Sequence, residues 1–305
     1  MRTSTTFIAS LVVVFVLAGS VLGVGTYRSP LDFDGDNKTD IAVYRPSSTQ
    51  WWIRNSNDGS HYVLEFGKGD DRIVPGDYTG DGVPDIALYR PGTSEWWVFR
   101  SDNKTPLSFT FGLIEDIPTP ADYDGDGKMD PAVFRPSTAV WYIMKSTGGI
   151  QITKFGLQGD TPVNADFDGD GKSDIAVFRA PDQWWVLNSA DGSVFQHPMS
   201  LAGEMRADQL IPGDYTGDGK ADIAIYNTDS GKFGIRNSED GISTTAVVGA
   251  RGDVLAPGDY NGDGRLDVAV FTPTTGKWRI AGAGETAGVK WGLSGDVPLT
   301  NAYVR

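Results

Sequence analysis

A nine-residue segment carrying three or four aspartates recurs six times in this 305-residue chain. The copies are Asp32–Asp40 (DFDGDNKTD), Asp77–Asp85 (DYTGDGVPD), Asp122–Asp130 (DYDGDGKMD), Asp166–Asp174 (DFDGDGKSD), Asp214–Asp222 (DYTGDGKAD) and Asp259–Asp267 (DYNGDGRLD). Positions 1, 5 and 9 are Asp in every copy, with Asp36, Asp81, Asp126, Asp170, Asp218 and Asp263 at position 5. Position 3 is Asp34, Thr79, Asp124, Asp168, Thr216 or Asn261, always a side chain with oxygen. Position 4 is Gly throughout, and position 6 is Gly except at Asn37; both residue types tolerate positive φ. Alternating carboxylates on a sharp turn wrap hard oxygen ligands around one cation, and calcium takes about six to eight of them. Position 7, which is Lys38, Val83, Lys128, Lys172, Lys220 or Arg265, would add a backbone carbonyl while its side chain points outward. The expected cofactor is therefore calcium, with up to six ions. Position 12 is apolar and a strand-like run follows, so the segment is no EF-hand. All-oxygen ligands disfavour zinc, and a flexible carboxylate cage disfavours magnesium. Just over half of the chain's 40 acidic residues lie in these segments, a concentration that repels itself unless a cation balances it.

The elements that hold these loops follow from their spacing. Successive copies start 45, 45, 44, 48 and 45 residues apart, a period that indicates a solenoid or propeller. After each loop comes an apolar run (IAVYR from Ile41, IALYR from Ile86), then a Pro/Ser/Thr turn and an aromatic run (WWI from Trp51, WWV from Trp96). A third run ends near Gly, as in Val63–Gly67, and a short fourth leads into the next loop, as in Ile73–Gly76. Four short strands per 45 residues, without helical periodicity, predict an all-β, six-bladed β-propeller of four-stranded blades with calcium-binding loops. A seven-bladed or incomplete propeller is the alternative. Val297–Tyr303 repeats the strand that leads into a loop, but Ala302 replaces the first Asp. This spare strand is expected to complete the first blade and remove two open sheet edges.

Composition narrows the function. The chain has no Cys and only two His, which excludes disulfide scaffolds, thiol catalysis and multi-His metal sites. A net charge of −14 argues against a nucleic-acid partner. Residues 1–23 read as a signal peptide, with an apolar Phe7–Ala18 and small residues permitting cleavage after Ser20 or Gly23, so residues 24–305 are expected to be secreted or at the cell surface. Membrane association would follow only if that segment stayed uncleaved. A monomer is expected.

The D-x-D-G-D-G-x-x-D loop, the IAVFRP-type strand and the Phe–Gly strand ends (Phe66–Gly67, Phe111–Gly112, Phe155–Gly156) resemble FG-GAP/VCBS repeats, the units of the integrin α-subunit propeller and of many secreted proteins and lectins. The resemblance covers residues 27–305 and implies the propeller fold and calcium binding. It leaves activity open, since such modules serve adhesion, glycan binding or scaffolding.

Two further positions vary together. Arg45, Arg90, Arg135 and Arg179 end the first long strand of units one to four; Trp52, Trp97, Tyr142 and Trp185 stand in the next strand of the same units. Units five and six have Asn227 with Gly234 and Thr272 with Arg279 instead. Each Arg is expected to stack on its aromatic partner. Such pairs form a structural clasp, or four similar pockets for sugars. Trp51, Trp96, Trp141, Trp184, Phe233 and Trp278 recur at one position and read as core. Arg251–Gly252–Asp253 spells an integrin-recognition tripeptide, but its Gly–Asp is repeat consensus. No nucleophile motif or paired acidic constellation appears outside the loops. The function expected is a non-catalytic extracellular binding module for a glycan, with a cell-surface protein partner or, less favoured, a polysaccharide-acting enzyme as alternatives.

Overall fold

The computed structural model describes residues 29–199, 209–281 and 288–300. The expected signal peptide, most of the longer unit-four connection and Ala302 lie outside them. Among the described residues there is no helix long and apolar enough to cross a membrane.

The described strands form six antiparallel sheets of four strands, the six blades of a β-propeller. Blade 2 shows the plan: β4 (Arg72–Ile73), β5 (Ile86–Arg90), β6 (Glu95–Phe99) and β7 (Pro106–Thr110) pair in chain order. Blade 3 is β8 (Ile117–Pro118), β9 (Ala132–Arg135), β10 (Val140–Met144) and β11 (Ile150–Lys154). Blade 4 is β12 (Thr161–Ala165), β13 (Asp174–Arg179), β14 (Gln183–Leu187) and β15 (Val194–Pro198). Blade 5 is β16 (Gln209–Leu210), β17 (Ile223–Asn227), β18 (Lys232–Arg236) and β19 (Ser243–Val247). Blade 6 is β20 (Val254–Leu255), β21 (Ala269–Thr272), β22 (Lys277–Ile280) and β23 (Val289–Lys290). Blade 1 joins both ends of the chain: β1 (Ile41–Arg45), β2 (Gln50–Arg54) and β3 (His61–Glu65) are completed by β24 (Val297–Pro298), with Val43 opposite Pro298 and Tyr44 opposite Val297. The expected spare strand closes the ring, and its pairing protects the β1 edge.

Burial explains the sequence pattern. The strand after each loop is buried on both faces, as in Ile86–Tyr89, so it is apolar without alternation. The next strand alternates, and Trp96 and Val98 of β6 point inward. Trp51, Trp96, Trp141, Trp184 and Trp278 are fully buried between blades, and Phe233 nearly so. The indole N–H groups of Trp51, Trp96 and Trp141 donate to the Phe66, Phe111 and Phe155 carbonyls at 3.0–3.1 Å. The Phe–Gly strand end thus supplies the acceptor that a buried indole needs. The outer strand of each blade is largely exposed.

A chain ending at Gly295 should therefore melt below the full chain in calcium and self-associate on size-exclusion chromatography, because β1 becomes an open edge. An unchanged melting temperature would show that the ring closes without β24.

Candidate metal loops and an arginine–aromatic face

Each nine-residue loop lies at the start of its blade's second strand and each strand-ending Arg at the other end. The loops and the arginines therefore occupy opposite faces of the ring.

Within each loop the first and last aspartates hold the backbone. The position-1 carboxylate accepts the position-4 N–H with one oxygen and the position-6 N–H with the other, as Asp122 does from Gly125 and Gly127 at 2.6 and 2.8 Å. The position-9 carboxylate accepts the position-2 N–H, for example Tyr123 to Asp130 at 2.9 Å. In units one to five its second oxygen receives the backbone N–H of a serine from the turn after the blade's third strand. Ser56, Ser101, Ser146, Ser189 and Ser238 also donate their hydroxyls to the position-5 carboxylates Asp36, Asp81, Asp126, Asp170 and Asp218 at 2.6–2.9 Å. The sequence reading missed these serines, although each stands five residues after the core aromatic; Ala283 occupies that place in unit six.

The donor set fits a hard cation in three loops above all. Ligand atoms of Asp32, Asp34 and Asp36, of Asp122, Asp124 and Asp130, and of Asp166, Asp168 and Asp174 lie within 4.8 Å of one another in each group. One buried oxygen of Asp34 and one of Asp124 have no hydrogen-bond partner. A carboxylate oxygen so placed needs a cation or a proton. Burial, followed by neighbouring carboxylates, raises the Asp34 pKa against a backbone hydrogen bond. In the other three loops position 3 is a neutral donor that turns to a carboxylate: Thr79 to Asp77 at 3.4 Å, Thr216 to Asp222 at 3.5 Å, Asn261 to Asp267 at 3.1 Å. The loops of units one, three and four are thus the stronger donor set. A bound cation would supply charge compensation and hold the turn; positions 1, 3, 5 and 9 with the position-7 carbonyl would hold it.

The position-7 side chains do not simply point outward. The aliphatic stems of Lys128, Lys172, Lys220, Arg265 and Lys38 lie across the position-4 glycine of the preceding loop, Gly80, Gly125, Gly169, Gly217 and Gly262. A Cβ on Gly80 would push against the Lys128 stem, and its own φ of 78° independently favours glycine. At the same junctions the position-8 N–H donates to the position-1 carbonyl of the preceding loop: Met129 to Asp77, Ser173 to Asp122, Ala221 to Asp166, Leu266 to Asp214 and Thr39 to Asp259, all at 2.7–2.8 Å. The last of these ties loop 1 to loop 6 across the closure.

On the opposite face all four expected stacks are formed. The guanidinium carbon lies 4.7 Å from the Trp52 ring for Arg45, 5.2 Å from Trp97 for Arg90, 4.3 Å from Tyr142 for Arg135 and 5.4 Å from Trp185 for Arg179. Sequence reasoning missed the partner that places them. Each Arg makes two bonds of 2.8–3.0 Å to a buried aspartate preceding the blade's first strand: Asp296, Asp71, Asp116 and Asp160. Those aspartates also cap their own turns, as Asp71 does by accepting Lys68 N–H at 2.8 Å. The repeated Asp, five residues beyond the Phe of Phe66–Gly67, was the available signal. Unit six exchanges the roles: Thr272 donates to Asp253 at 2.7 Å, and Arg279 reaches the same carboxylate from the aromatic position. Asp253 of the Arg–Gly–Asp tripeptide is consequently buried.

Comparison with known proteins follows this repeat by repeat. The FG-GAP-like repeat signature matches residues 32–88, 77–133 and 166–225, and the FG-GAP repeat signature matches residues 251–287. The chain belongs to the FG-GAP repeat family. No curated protein matches it in sequence. Among solved structures it is similar to BBS1N in a complex with ARL6DN, with 14% identity over 85% of this chain and 80% of that one and a TM-score of 0.52. It is also similar to an Agrocybe aegerita lectin described as recognising non-reducing terminal N-acetylglucosamine, with 18% identity, 76% and 70% coverage and a TM-score of 0.52. A streptogramin B lyase matches with 9% identity over 88% and 86% of the chains at a TM-score of 0.50. At these identities the likeness concerns the fold alone.

Removing Arg90 strands a buried carboxylate, so Arg90→Ala should cost about 3 kcal/mol in denaturant unfolding. In double-mutant cycles the Arg90–Asp71 coupling should exceed the Arg90–Trp97 coupling of about 1 kcal/mol; equal couplings would make the aromatic the main support. A second prediction concerns pH in chelator. Burial, with nearby carboxylates adding to it, raises Asp40 to about 7 and Asp166 and Asp267 to about 6. Folded pKa values above the unfolded ones mean that these groups favour folding at low pH and lose that contribution as pH rises through 6 to 7. The calcium-free chain should therefore melt higher near pH ~5 than near pH ~8, whereas the stabilisation by added calcium should grow with pH, since ligands bind deprotonated. Parallel pH trends with and without calcium would contradict this assignment.

Proposed function

We propose that this protein is a secreted, calcium-stabilised, non-catalytic binding module whose ligand is an extracellular glycan, bound on the arginine–aromatic face. An FG-GAP propeller fits a binding module, and the observation that carries the glycan reading is the set of four guanidinium–aromatic pairs at one end of the blades. Sugars stack their apolar faces on aromatic rings and accept charge-assisted hydrogen bonds from Arg. Blade 4 offers the most open of these pairs. The Arg179 side chain is 33% exposed, against 12–18% for the other three, and it lacks the extra partner that Arg90 has in Glu95 and Arg135 has in Tyr142. A cavity of about 190 Å³ lies there, lined by Phe155, Leu157, Val177, Arg179 and Trp185. The Trp185 indole N–H is buried without a partner, whereas those of Trp52 and Trp97 donate to Gln50 and Glu95. Near-identical sites around a ring suit weak multivalent binding, in which avidity multiplies across blades.

Calcium in the loops serves this function by holding the ring, with affinities in the extracellular range of about 0.1–1 mM. A second reading is a protein-binding scaffold. Leu113, Ile114, Leu157 and Leu293 are exposed on the turns that carry the arginine-binding aspartates, an apolar rim on the same face. A glycan array probed with residues 24–305 in millimolar calcium, and again in chelator, tests the choice. Calcium-dependent binding to one sugar class, lost in Trp185→Ala, is expected; silence from folded, calcium-loaded protein would favour the scaffold.

A further inference from the structure

Five of the six junctions between neighbouring loops are closed by the same pair of ties, and the junction between blades 1 and 2 has neither. Pro84 stands at position 8 of the second loop and has no N–H to donate to the Asp32 carbonyl. Val83 stands at position 7, where the other loops have Lys or Arg, and no side chain lies within 4 Å of where a Cβ on Gly35 would be. A cavity of about 300 Å³ occupies this seam.

The same unit departs from the repeat at one more place, Lys104, which lines that cavity together with Arg100. In the turn between β6 and β7, Arg100 N–H donates to Thr105 O and Lys104 N–H to Arg100 O. The equivalent bonds in units one, four and five are made by Asn55, Asn188 and Asn237 with Gly59, Gly192 and Gly241, and in the shorter turn of unit three by Lys145 with Gly148 and Gly149. Gly59, Gly192 and Gly241 have φ of 70–72°, and Lys104 is held at 57°, a conformation that strains a lysine and suits a glycine. Three departures found in this repeat, at Val83, Pro84 and Lys104, therefore converge on one cavity with the cation of Arg100.

The geometry points to the seam between blades 1 and 2 as a binding site for a small aromatic molecule bearing one acidic group. The walls are apolar and ringed, with Phe33 and Tyr62 from blade 1 and Ile86 and Phe99 from blade 2. None of the lining residues is acidic, although the chain carries a net charge of −14, and the two cations stand together on one turn. A volume near the lower end of small-molecule pockets, about 300–1,000 Å³, suits one or two fused rings rather than an oligomer. Arg100 pairs with Asp102 at 2.6 Å, but both are a third exposed, and a surface pair of this kind holds its guanidinium weakly enough to exchange for a ligand carboxylate. The site lies on the loop face, away from the arginine–aromatic pairs, and does not depend on the glycan reading.

The test is a fluorescence titration of calcium-loaded full chain with 2-naphthoate, compared with 2-naphthalenemethanol, its uncharged counterpart. One saturable site for the acid is expected, with the alcohol about tenfold weaker, the effect of losing one charge-assisted bond. Arg100→Gln and Lys104→Gly should each weaken the acid by a similar factor, and Lys104→Gly should raise the melting temperature by relieving the positive φ. Val83→Lys with Pro84→Ser restores the repeat residues; it should abolish binding while keeping the calcium-dependent shift in melting. The absence of saturable binding, equal binding of acid and alcohol, or full binding by the double variant would each overturn the proposal. Should the double variant fail to fold, unchanged acid affinity in Lys104→Gly and Arg100→Gln would overturn it as well.

Discussion

Six acidic loops stand side by side on one face of a closed ring, and the rest of the structure is arranged around making that concentration of carboxylates tolerable. Each loop meets part of the cost itself. Its first and last aspartates accept backbone N–H groups, and in units one to five a serine from the next turn engages the middle one. The remaining oxygens of Asp34 and Asp124 have nothing within the protein to satisfy them. That unsatisfied charge is what would tie stability to a cation. It also gives a reason for the loops to be joined to each other: the backbone bond from Met129 to Asp77 and its four counterparts hold neighbouring turns in register, so that the geometry of one loop is passed to the next.

The opposite face uses the reverse device. There, in each of blades 1 to 4, one buried aspartate is matched by one arginine through two parallel bonds, with an aromatic ring laid over the guanidinium. Low-dielectric surroundings make such a pair costly to break from either side. The closing blade depends on it most directly, because Arg45 of the first unit finds Asp296 at the other end of the chain. Strand pairing, the Thr39–Asp259 bond and this ion pair therefore close the ring at both faces and in between.

Repetition makes departures informative. A propeller of near-equivalent blades gives each side chain five internal controls, so a residue that differs from all five marks either drift or use. Unit four leaves its arginine–aromatic pair open, unit six passes the arginine to the neighbouring strand, and unit two omits both ties to the blade before it. The similarity to BBS1N, a lectin and a lyase at low identity shows how little the blades themselves restrict what is built on them.

Much of this was legible in the sequence. Asp at three fixed places, the 45-residue period and the apolar runs determined the blades, their number and the loops, because each of these is a local pattern repeated often enough to exclude accident. The spare strand at Val297 and the Arg–aromatic stacks could also be read, since both follow from strand register. What the sequence did not show is whatever joins residues that are far apart along the chain. Ser146 reaching Asp126, Asp296 receiving Arg45, and Lys128 crossing Gly80 in the neighbouring blade all depend on distances that only the closed ring sets. For the same reason Val83 and Pro84 looked like ordinary variation within one loop. Their meaning lies in the gap they leave against blade 1, and a gap between blades exists only once the tertiary structure has brought the blades together.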